Sequence, residues 1–129
     1  MVNELIKSVE SSCVQNPDGI ITKILIRVVF NADWRKPFWM KILDVELTDK
    51  DGKQFSPYNK KEELFPVGII NHIKPKYHFQ CNGKPLDDGA LFKICLHEKH
   101  SHFAYRFTYR FNQGIGKLEN IETKDIITQ

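Results

Sequence analysis

At 129 residues, 41% hydrophobic and 27% charged, the chain has the balance of an ordinary globular domain and is long enough to build a core without disulfide or metal staples. A formal charge of +3 is too low for a dedicated nucleic-acid binder. No run approaches the ~18 apolar residues that a membrane span needs. Nor does Met1–Lys7 have the basic-then-apolar start of a secretory signal, so the expectation is a single domain, residues 1–129, in a reducing cytoplasm.

Taken in chain order, the elements follow a period of two. Ile6–Val14 reads as a weak first strand, and Val2–Val9 has enough periodicity for one or two helical turns. Asn16-Pro17-Asp18-Gly19 is a turn by composition. Ile20–Phe30 is the clearest aliphatic strand. Ile20, Ile24, Ile26, Val28 and Phe30 share a face with Thr22, and Lys23 and Arg27 sit on the other among Ile21, Leu25 and Val29, a pattern that suits a central strand. Asn31–Phe38 is a loop and Trp39–Thr48 a third strand. Asp49-Lys50-Asp51-Gly52 closes a hairpin onto Lys53–Phe55, with Gly supplying a positive φ. Ser56–Glu63 is a polar connection. Phe65–Ile73 is a strand that Pro66 pushes towards an edge.

Tyr77, Phe79 and Cys81 alternate with Lys76, His78 and Gln80, and Asn82–Gly89 is a turn region. Ala90–Leu96 follows, with Phe92, Ile94 and Leu96 inward. His97–His102 is a short loop into Phe103–Phe111, where every odd position is aromatic and the even ones are Ala104, Arg106, Thr108 and Arg110. Such a segment is a strand with five rings on one side and a face for water or a charged partner on the other. Asn112–Gly116 is a turn, and Lys117–Gln129 offers a last strand around Ile121–Ile127. The cysteines, Cys13, Cys81 and Cys95, are odd in number and lack CxxC spacing, so no disulfide framework is indicated. Cys81 and Cys95 read as small buried hydrophobes.

The expected fold class is therefore all-β, an antiparallel two-sheet sandwich of about seven or eight strands. A strong second strand (Ile20–Phe30), a Trp-led third (Trp39–Leu47) and a late hairpin (Ala90–Leu96 with Phe103–Phe111) resemble immunoglobulin-like and fibronectin-III-like sandwiches from about Ile6 to Phe111. The resemblance is one of strand pattern. It implies an architecture and no activity, and the antibody-type cysteine pair is missing. A closed eight-stranded barrel, which would offer a ligand cavity, is the alternative architecture.

Three constellations carry possible chemistry. Trp34-Arg35-Lys36-Pro37-Phe38-Trp39 puts three large rings and two cations at a strand–strand connection, and Trp and Arg are favoured at binding hot spots. Its plainer reading is packing: Trp39 in the core, Trp34 and Phe38 capping the end of the sandwich. His97-Glu98-Lys99-His100-Ser101-His102 offers His97, His100 and His102 as zinc ligands, with help needed from His72 or His78. Its plainer reading is a solvated turn. Arg106 and Arg110, with Lys93 or with Lys23 and Arg27 on neighbouring strands, form a basic face able to hold phosphate or carboxylate. Its plainer reading is cross-strand pairing with Glu or Asp.

Asp49–Gly52 and Asp87-Asp88-Gly89 resemble calcium loops only at their start and read as turns. No nucleophile elbow and no phosphate-cradling glycine loop is present. The functional expectation is a non-enzymatic module that binds another protein through Trp34, Arg35, Lys36 and Phe38, with Arg106 and Arg110 as a second surface, and without cofactor or metal. A ligand-binding or hydrolytic barrel and a His-cluster metalloprotein are the rivals.

Overall fold

The computed structural model describes residues 6–30, 38–55, 64–67, 76–81, 83–98 and 103–127. They form eight strands: β1 (Ile6–Gln15), β2 (Ile21–Phe30), β3 (Phe38–Thr48), β4 (Leu64–Val67), β5 (Lys76–Gln80), β6 (Leu91–Glu98), β7 (Phe103–Asn112) and β8 (Lys117–Ile127). Every pairing is antiparallel. One sheet has the order β1-β2-β5, the other β4-β3-β6-β7-β8. Among the described residues no ladder joins the two sheets. The strands therefore form two layers and not the closed barrel held open from the sequence.

Two-residue alternation places the core between the layers. Ile24, Ile26 and Val28 of β2 are fully buried, as are Leu47 of β3 and Phe92, Ile94 and Leu96 of β6. Phe79 of β5 meets Phe92 of β6 edge-on, with ring centroids 6.5 Å apart and planes at 82°; Tyr77 lies 6.4 Å from the same ring. Burying each such side chain contributes about 1.5–3 kcal/mol. This apolar interior fixes the register, since a slip of one residue would turn these side chains to solvent. The aromatic strand behaves as read: Phe107 and Tyr109 are buried and Tyr105 and Phe111 pack against the core. β2 is the central strand of its sheet.

Several sequence expectations shift. Residues 6–9 are extended, not helical, because Ile6 and Val9 pair across to Phe30 and Val28 and so bury a sheet face. Ile20 does not join the inward row. It sits in the turn before β2 and is 52% exposed. The hairpin partner Lys53–Phe55 is a single bridge, Thr48↔Gln54, flanked by the backbone bonds Asp49 N to Lys53 O and Phe55 N to Leu47 O, on the edge of β3 opposite β6. The expected strand Phe65–Ile73 is β4, Leu64–Val67, and residues 68–75 lie outside the described ones. The last strand, by contrast, starts at Lys117 as expected, and the β7–β8 ladder runs down to Asn112↔Lys117.

At one end of the sandwich, side-chain oxygens hold the turns by accepting from backbone amides. Asn16 Oδ1 accepts from the amides of Asp18 and Ile20, and Asp49 Oδ1 from those of Asp51 and Lys53, so both are Asx turns. Asp87 Oδ1 accepts from Lys50 N and Asp88 Oδ1 from Gln113 N. The carboxylates of the two calcium-like stretches thus hold turns. Leu86, 4% exposed, plugs the core beneath them. Gly89 turns the chain into β6 at φ +92°, a conformation that only glycine adopts without strain.

Candidate functional site

The outer face of the five-stranded sheet carries the two arginines singled out from the sequence. Register builds it row by row. Asp44, Cys95, Arg106 and Lys124 lie abreast on β3, β6, β7 and β8. Glu46, Lys93, Thr108 and Glu122 form the next row, then Thr48, Leu91, Arg110 and Glu119. Four cations and four carboxylates therefore share one face, with Arg106 and Lys124 as a like-charge pair directly opposite each other. Their number is balanced, so this face presents a charge mosaic and not a positive field.

Arg106 is fully exposed at its head. A hydrogen bond with the Cys95 sulfur, attraction to that sulfur, and the more distant Glu122 and Glu46 carboxylates hold its guanidinium above the ordinary arginine range. Arg110 is exposed and stands opposite Glu119, whose Oε1 accepts a 3.0 Å hydrogen bond from Asn112 Nδ2. Thr108 between them is only 5% exposed. The even side of β7 is thus less open than its sequence suggests. Thr108 is short and sits between Arg106 and Arg110 on its strand and between Lys93 and Glu122 across it, among side chains with long apolar stems. Cys95, expected in the core, is half-buried on this outward face. Cys81 faces inward beside the core, and its thiol donates to the carbonyl of Ile21 at 3.5 Å. All three cysteines are free thiols.

Arg106 and Arg110 do not form a clamp for one phosphate. They are four residues apart on one strand, roughly 13 Å. Lys93 does stand on the neighbouring strand, but Lys23 and Arg27 belong to β2 and point outward from the other sheet. The single basic face drawn from the sequence is two faces on opposite sides of the sandwich. Inside the sheet, burial pushes the Tyr109 phenol well above its ordinary value, partly offset by a hydrogen bond with Asn120. Burial, and then the neighbouring Cys81, raise the Cys13 thiol. Neither shift comes with a nucleophile–base pair, so neither marks catalysis.

The remaining candidates divide. Trp34, Arg35 and Lys36 lie outside the described residues, as do His72, His100 and His102. Phe38 opens β3, paired with Val67 of β4. His97 is on the outward face of β6 opposite Ala104, whereas His78 is on the outward face of β5 in the other sheet. His78 therefore cannot complete a site with His97. Among the described residues no group of three or more His, Cys, Asp or Glu is placed to hold a metal ion. No helix of the described residues is long and apolar enough to cross a membrane. Compared with known proteins, the chain matches no family model, no curated protein and no solved structure.

The strand ends bordering the candidate loops share one end of the sandwich. Phe30 and Phe38 border residues 31–37, and Glu98 and Phe103 border residues 99–102; all lie opposite the hairpin turns at Asn16 and Asp49. Sequence reasoning expected cross-strand Glu or Asp beside these arginines but could not say which, and Glu119 opposite Arg110 is one of them. Asp44, Glu46, Glu119 and Glu122 each look unremarkable alone, and only strand order puts them beside the cations.

Proposed function

We propose that the protein is a non-enzymatic binding module of immunoglobulin-like architecture that recognises another protein. Strand order supports the architecture: β1, β2 and β5 in one layer and β3, β6 and β7 in the other correspond to the A, B, E and C, F, G strands of that sandwich. β4 then extends the C edge and β8 extends the sheet beyond G. The observation that carries the functional reading is the balanced charge mosaic around Arg106 and Arg110 on a rigid, open sheet face. A face of mixed, balanced charge discriminates among protein surfaces by complementarity and gives little attraction to a polyanion.

In this reading the Trp34, Arg35, Lys36 and Phe38 segment supplies aromatic and cationic anchors at the end of the sandwich. The mosaic supplies register and rejects mismatched partners. The filled interior supports a binding role over a carrier role, since Phe79, Phe92 and Phe107 occupy the space where a lodged ligand would sit.

Affinity capture from the native source tests the reading. Wild type recovers a partner, Arg106→Glu with Arg110→Glu loses it, and Trp34→Ala with Arg35→Ala loses it while circular dichroism stays β. Equal recovery by all three proteins refutes it.

A further inference from the structure

The outer face of the β1-β2-β5 sheet differs from the mosaic. Alternation on β2 sends Lys23, Leu25, Arg27 and Val29 outward, all half-buried, while Ile24, Ile26 and Val28 face the core. Register sets Glu10 of β1 and Lys76 of β5 on either side of Arg27. Ser12 and His78 flank Leu25, and Val14 and Gln80 flank Lys23. Among the described residues three cations thus share this face with one carboxylate, and aliphatic side chains lie between the cationic rows. Arg27 and Lys76 are directly opposite each other, a like-charge pair that disfavours the sheet. Arg27 Nε is shielded from solvent and makes no hydrogen bond. Lys23 and His78 have local interactions of their own, so Arg27 and Lys76 are the principal anion-seeking groups.

The spacing along β2 specifies what fits. Arg27, Leu25 and Lys23 follow at two-residue steps of roughly 6.5–7 Å. An extended chain laid parallel or antiparallel to β2 has the same step. We propose that this face docks an acidic, extended segment of another protein, with one carboxylate at the Arg27–Lys76 pair, an aliphatic residue on Leu25 and a second carboxylate towards Lys23. Charge complementarity selects the acidic residues, since the incoming carboxylate relieves the Arg27–Lys76 repulsion. The apolar row selects the residue between them. This surface lies on the opposite side of the sandwich from Arg106 and Arg110, so it stands independently of the function proposed above.

The test uses a fluorescein-labelled peptide containing Asp-Ser-Leu-Ser-Asp, read by anisotropy against the full chain. Wild type binds it, and binding weakens as salt rises, as expected of exposed charges. Lys76→Glu, at an exposed position, lowers affinity about tenfold or more, equivalent to about 1.4 kcal/mol. Lys53→Glu and Lys117→Glu make the same change in net charge elsewhere and alter affinity less than about twofold. The peptide with both Asp replaced by Asn does not bind. Circular dichroism confirms that each variant is folded.

Three outcomes overturn the proposal. One is no binding of the Asp peptide by wild type. Another is an equal loss from Lys76→Glu and the two control variants. The last is binding to vesicles of phosphatidylcholine with about 30% phosphatidylserine but not to the peptide, which would assign the face to a lipid surface.

Discussion

Phe92 is where the two layers are locked together, and truncating it tests the architecture directly. Its side chain is fully buried on β6 and touches two rings from the opposite sheet, Tyr77 at 6.4 Å and Phe79 at 6.5 Å. Phe92→Ala removes the transfer free energy of the ring and leaves a cavity, at a cost of about 3–5 kcal/mol. A domain of this size has a total stability of about 5–15 kcal/mol, so the variant keeps its fold only marginally. Because ~1 kcal/mol corresponds to about 3–5 °C at this length, Tm falls by at least about 10 °C. The edge-on pair with Phe79 carries a further signal. In a double-mutant cycle of Phe79→Leu and Phe92→Leu, the coupling is about 0.5–1.5 kcal/mol, in the range of buried aromatic pairs. Urea denaturation followed by circular dichroism measures both quantities. A loss below about 1 kcal/mol for Phe92→Ala, or a coupling indistinguishable from zero, would show that β5 and β6 do not face each other and would refute the two-layer packing.

Two further variants test the local chemistry. In Tyr109, burial raises the folded-state value above that of the unfolded chain, near 10. The native state then binds the phenolic proton more tightly, so this contribution is complete below about pH 10 and falls away as pH rises above it. Urea midpoints of wild type and Tyr109→Phe compared between about pH 8 and 11 should therefore converge or cross, with wild type declining more steeply; parallel curves would show that the phenol is not buried as placed. Gly89→Ala forces an alanine to φ +92° with its Cβ 3.6 Å from Lys50 Cβ, and should cost about 1–2 kcal/mol in the same denaturation assay.

Much of the fold was legible because sheets obey a short period. The rings of Phe103–Phe111 and the aliphatics of Ile21–Phe30 declared both their strand state and their inward faces, and the structure buries Phe107, Tyr109, Ile24, Ile26 and Val28 accordingly. Turn chemistry was equally local: Asn16 and Asp49 hold their turns with their own side chains. What the sequence could not supply was lateral order. Arg27 and Arg106 look alike in the chain, each a cation between apolar neighbours. Their separation onto opposite faces follows from β2 pairing with β5 while β6 pairs with β3 and β7. The same gap left the carboxylates around Arg106 and Arg110 expected but unnamed, and the turn at Asp49–Gly52 legible without the length of its ladder, which is the one bridge at Gln54.

Lateral order also decides what each cation can do. Arg106 lies between Cys95 and Lys124, with Glu122 and Glu46 in the next row, and the hydrogen bond and attraction from Cys95 and then the two carboxylates favour its charged form. A new anion arriving there must compete with groups already in place, so the gain is small unless it also brings a cation for the displaced carboxylates. That is a requirement for a matched protein surface. Arg27 faces Lys76 on one side and Glu10 on the other, and this face holds three cations to one carboxylate, so an arriving carboxylate meets an excess of positive charge. Two faces built from the same residue types therefore differ in kind. One discriminates among mixed surfaces, and the other recruits negative charge. Reversing a single charge tests the difference: at Arg106 it sets a carboxylate near Glu122 and Glu46 but directly opposite Lys124, so the effects offset and the urea midpoint stays near that of wild type, whereas at Lys76 it removes a like-charge neighbour of Arg27 and leaves stability unchanged or higher.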